Sequence, residues 1–363
     1  MDFELERFTH PDFSSSAFVD APDATLVPAP LDGVAPEGFH ATTIFPEYFK
    51  VEGSWLLALE SRMDCAAVYE QGMVAVREFR KLKKGDLVFA ARSENGQQGI
   101  FVHTDGFGVA LQSDKERFAF RQGRSRETAF SMDYDFLYEQ LRYEKEHGYI
   151  VWVVGPACTF DADSRTAFAS LCEGGYVHTL LAGNALAVHD LEAAYKKSAL
   201  GQDIYTQETY PLGHYNHLDT INKVRELGSI PAFLKQENIR DGIMYHCVKA
   251  GIPFVLAGSI RDDGPLPEVY ADAYAAQDAM REHISKATTL ICMATTLHSI
   301  AAGNIAPSFR VMPNGTIRQV YFYMVDISEF ATNKLSDRGS LSARSIITNI
   351  QDFVVHTSKN LLP

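Results

Sequence analysis

From residue 149 onward the apolar positions come in continuous runs rather than alternating ones. Five such runs stand out: "YIVWVVG" at 149–155, "VHTLLAG" at 177–183, "IPFVLAG" at 252–258, "TTLICMA" at 288–294 and "VYFYMVD" at 320–326. Unbroken apolar strands are expected where both faces of a sheet are covered. Stretches with helical spacing separate them, such as "SRTAFASLCEGG" and "PEVYADAYAAQDAMREHISKA". Strand and helix alternating in this way predict an α/β domain over 149–363, Rossmann-like, with a mainly parallel sheet. Upstream the rhythm differs. Residues 36–126 carry short apolar runs ("WLLAL", "AAVY", "MVAVREF", "DLVFAA", "GIFVH") broken by Gly and charge, and "KLKKGDLVFAA" reads as a turn feeding a strand. That pattern predicts a β-rich domain. Between the two, residues 127–148 place Phe136, Leu137, Gln140, Leu141 and Glu144 at helical spacing and end on Gly148, as a linker helix with a glycine stop. Residues 1–35 are rich in Pro, Ser, Asp and Ala without a period, and read as an extended arm.

Composition narrows the function. The 363 residues are 46% hydrophobic and 22% charged, which suits two domains with their own cores. The net charge of -13 argues against a nucleic-acid partner, because phosphate binding needs clustered Lys and Arg. No run of 18 apolar residues exists to span a membrane, and "MDFELERFTHPDF" lacks the basic-then-apolar order of a signal peptide. The five cysteines (Cys65, Cys158, Cys172, Cys247, Cys292) are odd in number, far apart and without a CxxC pair. A disulfide framework or structural zinc is not expected, and a reducing cytoplasm is the expected location. His214 and His217 have metal-like spacing in "GHYNH", but no carboxylate or thiolate set completes a site, so no metal is expected.

The chemistry gathers where the apolar runs end. In open α/β sheets ligands bind beyond the carboxyl ends of the strands. There the chain places "GPAC", "AGNALAVHD", "AGSIRDDG", "MATTLHS" and "DISE". Gly and Ala allow a backbone to approach a ligand, and Asn, Ser and Thr supply hydrogen bonds. Arg261, Asp262 and Asp263 follow the third run directly; the alternative to a ligand role is a solvated loop with a surface ion pair. The dinucleotide fingerprint GxGxxG is absent, and only Gly155-Pro156-Ala157 follows the first run. Asn184, with Ala185 behind it, reads as a helix N-cap, a phosphate contact, or both. Asp326 suits an adenosine ribose or a local cap. His189-Asp190 reads equally as a structural pair or a proton relay. His298 is the preferred proton shuttle, because an imidazole titrates near neutrality; a satisfied core histidine is the alternative. Cys247 and Cys292 sit among apolar residues and read as inert core, as does Cys65.

Several long stretches carry a family resemblance. "APEGFHATTIFPEYF", "ESRMDCAAV", "LLAGNALAVHDLEAA", "GIMYHCVKAGIPFVLAGSIRDDGPLPEVYADAYAAQDAMREH", "MATTLHSIAAGN" and "TNKLSDRGS" closely resemble the LOR/SDH conserved-region family, over roughly residues 30–355. That family includes the archaeal-type ornithine cyclodeaminases. The resemblance implies a nicotinamide-binding domain similar to that of deoxyhypusine synthase, which explains the missing GxGxxG. It implies NAD as cofactor and a small amino acid, L-ornithine, as substrate. NAD+ would take hydride from Cα, the δ-amine would displace ammonia, and the cyclic imine would take the hydride back to become proline. An acidic residue at the ribose favours NAD over NADP. On this reading Gly155, Pro156, Asn184, Ala185, Ser259, Thr295, Asp326, Ser336, Asp337 and Arg338 contact the cofactor. Arg261 clamps the α-carboxylate, Asp262 or Asp263 serves the δ-amine, and His298 shuttles the proton. His40, Thr42, Thr43 and Asp64 close the pocket from the N-terminal domain. A homo-oligomer, dimer or tetramer, is implied as well. The arm at 1–30, the insert "MPNGT" and "VYFYMVDISEF" depart from the family pattern, which opens a second substrate reading: an opine- or saccharopine-type oxidoreductase with net NAD(H) turnover.

Overall fold

A computed structural model of the protein describes residues 3–107, 130–262, 264–327 and 341–363. The N-terminal part is antiparallel. Its strands are β1 (Thr25–Pro28), β2 (Glu47–Val51), β3 (Ser54–Leu57), β4 (Ala66–Glu70), β5 (Met73–Arg77), β6 (Leu87–Ala90) and β7 (Ile100–Val102). They form one sheet in the order β1-β6-β4-β5 and a second in the order β3-β2-β7. Phe49, Phe89, Val74 and Ile100 fill the space between them. Helix α1 (Phe130–His147) then leads into the second domain.

There the five continuous apolar runs are strands of one seven-stranded parallel sheet. They are β8 (Ile150–Val154), β9 (Thr179–Gly183), β12 (Phe254–Ala257), β14 (Thr289–Met293) and β17 (Tyr321–Asp326). The sequence pattern misses the edge strands β13 (Val269–Tyr270) and β18 (Ser342–Ile347), which complete the order β13-β12-β9-β8-β14-β17-β18. An edge strand is covered less fully, so β13 and β18 lack the unbroken apolar signal. Two short antiparallel pairs also interrupt the alternation, β10 (Ser198–Ala199) with β11 (Gln202–Asp203), and β15 (Phe309–Val311) with β16 (Ile317–Gln319).

Both faces of the sheet are covered. Alternate residues of a strand point to opposite sides. Trp152 and Val154 therefore face a cluster that includes Phe168, Leu191 and Phe353, while Val151 and Val153 face Met280, Ile284, Ala302 and Ile305. The first layer contains α2 (Ala162–Glu173), α3 (Asn184–Lys196), α4 (His214–Leu227), α5 (Ile230–Gln236), α6 (Ile243–Ala250) and α9 (Ile350–Leu361); the second contains α7 (Ala273–Ile284) and α8 (Thr296–Ile305). Among the described residues no helix is long and apolar enough to cross a membrane.

A buried charge cluster fixes the first layer. Asp190 is fully buried and accepts hydrogen bonds from Arg165 Nε (2.7 Å), Ile243 N (2.9 Å) and Met244 N (2.8 Å). The α3 carboxylate thus caps α6 from outside, and the α6 N-terminus adds its positive dipole. Arg165 also reaches Asp241 at 2.8 Å. Gly242 is required between them: a Cβ there would lie 2.1 Å from Arg165 Nη2, and its φ is +104°. His189 does not pair with Asp190; its Nδ1 lies 3.0 Å from Glu192, whose buried carboxylate also holds Ser198 at 2.8 Å. Sequence neighbours on a helix point in different directions, so neither the structural His–Asp pair nor the relay is formed.

The stretch expected to be an extended arm contains a helical turn at Ser16–Val19 and gives β1 to the first sheet, and aromatic side chains anchor it to both domains. Phe3 packs against Phe136, Tyr143 and Tyr321 of the α/β domain. Phe13 stacks on Trp55 of the β-rich domain at 5.0 Å. Lys50 Nζ donates to the carbonyls of Phe18 (3.1 Å), Val19 (2.8 Å) and Ala21 (2.6 Å).

Removing one partner from a buried ion pair leaves the other charge uncompensated, which costs about 3–5 kcal/mol. Asp190→Ala is therefore expected to lower unfolding free energy by that order in urea titration. Substituting exposed Asp163, on the neighbouring α2, is expected to change it by under about 0.5 kcal/mol.

Candidate functional site at the strand ends

The chain adds strands outward from β8 in one direction, then returns to add β14, β17 and β18 on the other side. Such a reversal leaves a crevice between the carboxyl ends of β8 and β14. Gly155 stands there. Its N–H donates to Met293 O at 2.8 Å, and a Cβ on it would lie 1.9 Å from Ala294 O. The glycine is needed for close approach, since its φ is an ordinary -86°.

Three helix starts meet this crevice. One is a short 3-10 turn, Pro156–Thr159, behind Gly155; the others are α3 behind Gly183 and α8 behind Thr295. None has a side-chain cap. Elsewhere Asp161, Ser229, Asp272 and Asn349 cap their helices and Asp190 caps α6, while α4, behind Gly213, also has no side-chain cap. Uncapped N–H groups with a positive dipole end suit an anion such as a diphosphate.

The predicted side chains assemble around this floor. Asn184 is the first residue of α3 rather than its cap; its Oδ1 accepts from Leu266 N at 3.1 Å and ties the loop after β12 to the helix. Ala185 follows it, partly exposed. Ser259, Arg261 and Asp262 form a tight turn: Ser259 N donates to Asp262 Oδ2 at 2.8 Å, and Asp262 N to Ser259 O at 3.1 Å. Arg261 is exposed on that turn. Asp326 is the last residue of β17. His298 reaches back from α8 across the end of β9, its Cε1 2.8 Å from where a Cβ of Gly183 would stand. Its Nδ1 lies 3.2 Å from Thr295 Oγ1. Burial pushes its pKa below the ordinary imidazole value, against the opposing charge of Asp262. Asp263, Ser336, Asp337 and Arg338 lie outside the described residues.

The N-terminal candidates are placed elsewhere. His40 is buried with its Nε2 2.9 Å from Glu47, whose other oxygen accepts from Thr43 N at 2.5 Å. Thr42 Oγ1 donates to Arg62 O at 2.5 Å and accepts from Cys65 N at 3.2 Å. His40, Thr42 and Thr43 are thus tied by hydrogen bonds within the β-rich domain. Asp64 is exposed, at φ +63°, in a separate cleft of about 230 Å³ between the domains. That cleft also contains Arg62, Glu78 and Arg281, which sequence reading missed, and Asn304. Burial opposes the charge of Glu78, but Arg62 and Arg281 outweigh it and hold its carboxyl below the usual range. Cleft and crevice lie at opposite ends of α8, from Thr295 to Asn304, roughly 13 Å apart at 1.5 Å per residue. No local signal in the sequence separates these two places.

Two glycine substitutions separate the floor from the histidine. Gly155→Ala forces a Cβ into a backbone carbonyl and is expected to destabilise the protein by about 2–3 kcal/mol. Gly183→Ala meets only the end of a side chain that can rotate. It is expected to leave the melting temperature within about 2 °C and to displace His298, seen as a changed imidazole titration by NMR.

Comparison with known proteins agrees with this arrangement. The model for the arginine dihydrolase ArgZ-like, C-terminal, Rossmann-fold family matches residues 137–357. The ornithine cyclodeaminase of Methanopyrus kandleri is 36% identical over 94% of this chain and 79% of its own length, and that of Methanocaldococcus jannaschii 38% over 92% and 76%. The bifunctional arginine dihydrolase/ornithine cyclodeaminase AgrE of Nostoc is 33% identical, with this chain spanning 46% of it. Among solved structures, a LOR/SDH protein from Methanococcus maripaludis superposes with a TM-score of 0.79, at 33% identity over 94% of this chain and 98% of that one. AgrE in ternary complex with ornithine and NAD+ gives 0.54, at 32% identity over 94% of this chain and 46% of that one. With this identity along nearly its whole length, the chain belongs to the archaeal-type ornithine cyclodeaminase family and carries its Rossmann-fold domain.

Proposed function

We propose that this chain converts L-ornithine to L-proline and ammonia with NAD+ as a bound, recycled cofactor. The supporting observation is the strand-end crevice: uncapped helix starts over a glycine floor, with one histidine reaching across it. A homologue seen with both ornithine and NAD+ supports the same reading.

The residues fit a dinucleotide. The starts of α3 and α8 have no side-chain caps and present backbone donors suited to a diphosphate. Ser259 and Thr295 stand on the rim. Asp326, at the end of β17, suits a ribose diol and disfavours a 2′-phosphate. When bound, NAD+ supplies a two-electron acceptor for Cα of the amino acid and gives the electrons back after ring closure.

The chain's own residues manage binding and protons. Arg261 forms no ion pair among the described residues and is available to the α-carboxylate, which its planar fork matches. Asp262 holds the turn that presents it. When the δ-nitrogen attacks the oxidised Cα, the α-nitrogen leaves as ammonia and needs a proton. The attacking δ-amine loses a proton, and His298 is placed to take it up and pass it to the leaving nitrogen. With Nδ1 toward Thr295, its Nε2 is left for the substrate. Because burial favours the neutral ring, His298 protonates only below the ordinary imidazole range. It is therefore a competent base at neutral pH.

Assembly belongs to the same reading. Leu200, Tyr205, Leu212, Tyr215 and Leu218 are exposed within one segment, and we assign that face to a second copy, giving a dimer or tetramer. Light scattering at micromolar concentration is expected to show at least twice the 40.3 kDa chain mass.

The assay measures proline, ammonia and NADH together after L-ornithine is added to protein and NAD+. Equal proline and ammonia without accumulating NADH are expected. Stoichiometric NADH that depends on a keto acid would favour the opine-type reaction. The acid limb of kcat/KM is expected below pH 6.5. His298→Asn is expected to remove that limb and to lower kcat about 100-fold or more.

A further inference from the structure

The cleft of about 230 Å³ between the two domains is not used by the chemistry at the strand ends. Four charged side chains line it: Arg62, Asp64 and Glu78 from the β-rich domain and Arg281 from α7. Two guanidiniums and two carboxylates balance, but they do not all pair. Glu78 Oε1 accepts from Arg62 Nη1 and lies 2.5 Å from Arg281 Nη2. Arg62 is only 6% exposed, and its Nε, like that of Arg281, is buried without a hydrogen bond. Glu60 lies 3.3 Å from Arg62 Nε, and burial pushes its carboxyl toward the neutral form. Among the described residues the Asp64 carboxylate and the Asn304 amide, on the last turn of α8, make no hydrogen bond. The backbone of Asp64 is in the left-handed region at φ +63°. Thr42 holds it there: its carbonyl accepts from Asp64 N at 3.0 Å, and its hydroxyl bonds Arg62 O and Cys65 N on either side. A non-glycine residue kept in such a conformation by its neighbours is characteristic of ligand sites. Docking of the domains does not require it, because Ser61 with Ser308, and Arg80 and Lys81 with Asp278, already join them.

We infer that this cleft binds a free α-amino acid with a short apolar side chain, at a site separate from the strand-end crevice. Two guanidiniums share one carboxylate in the Arg62, Glu78 and Arg281 group, so it keeps one positive charge in excess and N–H donors to spare. That suits an α-carboxylate. Asp64 and Asn304 supply oxygens for the α-ammonium. Ile44 and Ile305 give the cleft an aliphatic side. A plain anion would meet two carboxylates and a plain cation two guanidiniums, so the balance selects a molecule that carries both signs. Such an occupant touches both domains and stabilises their docking.

The test uses the full-length protein with excess NAD+, isothermal titration and thermal melting. The probes are L-proline and L-valine, with acetate and methylammonium as the separated charged groups. At least one amino acid is expected to bind once per chain and to raise the melting temperature, and the other shows how far side-chain shape matters. Acetate and methylammonium are expected not to bind. Asp64→Asn and Asn304→Ala are each expected to weaken amino-acid binding about tenfold or more, as loss of a hydrogen bond to a charged group predicts. Both residues are exposed, so the melting temperature without ligand is expected to stay within about 2 °C. His298→Asn is expected to leave the binding unchanged. Absence of binding by both amino acids up to about 10 mM overturns the inference. So does full affinity in Asp64→Asn and Asn304→Ala, and so does acetate binding as tightly as the amino acids, which would make this a plain anion site. Binding that is lost in His298→Asn places the ligand in the crevice and overturns it too.

Discussion

The close contact between the ends of β8 and β14 is the constraint on which the rest of the site depends. The chain reverses its direction of travel across the sheet there, so the connections leaving the two strands diverge to opposite faces. Gly155 N holds Met293 O, and the backbone of Ala294 occupies the space of a Gly155 side chain. With the strand ends in contact, the following segments must separate, and the crevice between them is lined by backbone. Gly155 and Gly183, at neighbouring strand ends, make room for protein atoms, the Ala294 carbonyl and the His298 ring.

Around that crevice, polar groups are arranged on opposite principles. Away from it, buried charges are paired. Asp190 has three donors, Glu192 holds His189 and Ser198, and Glu144 pairs with Arg318. Such clusters set where helices sit, because leaving any member unpaired is costly. At the crevice the helix starts lack side-chain caps and Arg261 is in solvent. Helix ends without caps weaken the isolated fold slightly, and the paired clusters offset that from below.

The N-terminal domain is joined to this frame at the far end of α8. Ser308 N donates to Ser61 O at 2.9 Å, the backbones of Glu60 and Arg310 form an antiparallel β-bridge, and Arg281 reaches Glu78 at 2.5 Å. The arm adds aromatic contacts to both domains. These attachments set the position of Asp64, and they separate it from the strand ends although both segments carry family motifs.

Much of this was legible in the sequence, for a physical reason. A strand covered on both faces must be apolar throughout, so β8, β9, β12, β14 and β17 declared themselves, and with them the strand-end positions of Asn184, Ser259, Arg261, Thr295 and His298. Patterns of period two and period 3.6 are local, and a chain carries them whether or not it is folded. Other features come into being only when distant segments meet. Asp190 parted from His189 because α6 and Arg165 lay on one side of α3 and Glu192 on the other. Asn184 held a loop rather than a cap, because Leu266 came within reach. His40, Thr42 and Thr43 became bracing, and Asp64 took a cleft of its own, because docking against Ser308 and Arg281 fixed the domain there. The edge strands β13 and β18 lacked the full apolar signal because half of their surroundings are open. The sequence by itself determined the central strands and where they end; the tertiary structure alone decided which polar groups pair with one another and which stay in solvent, since that depends on distances between segments that no local spacing encodes.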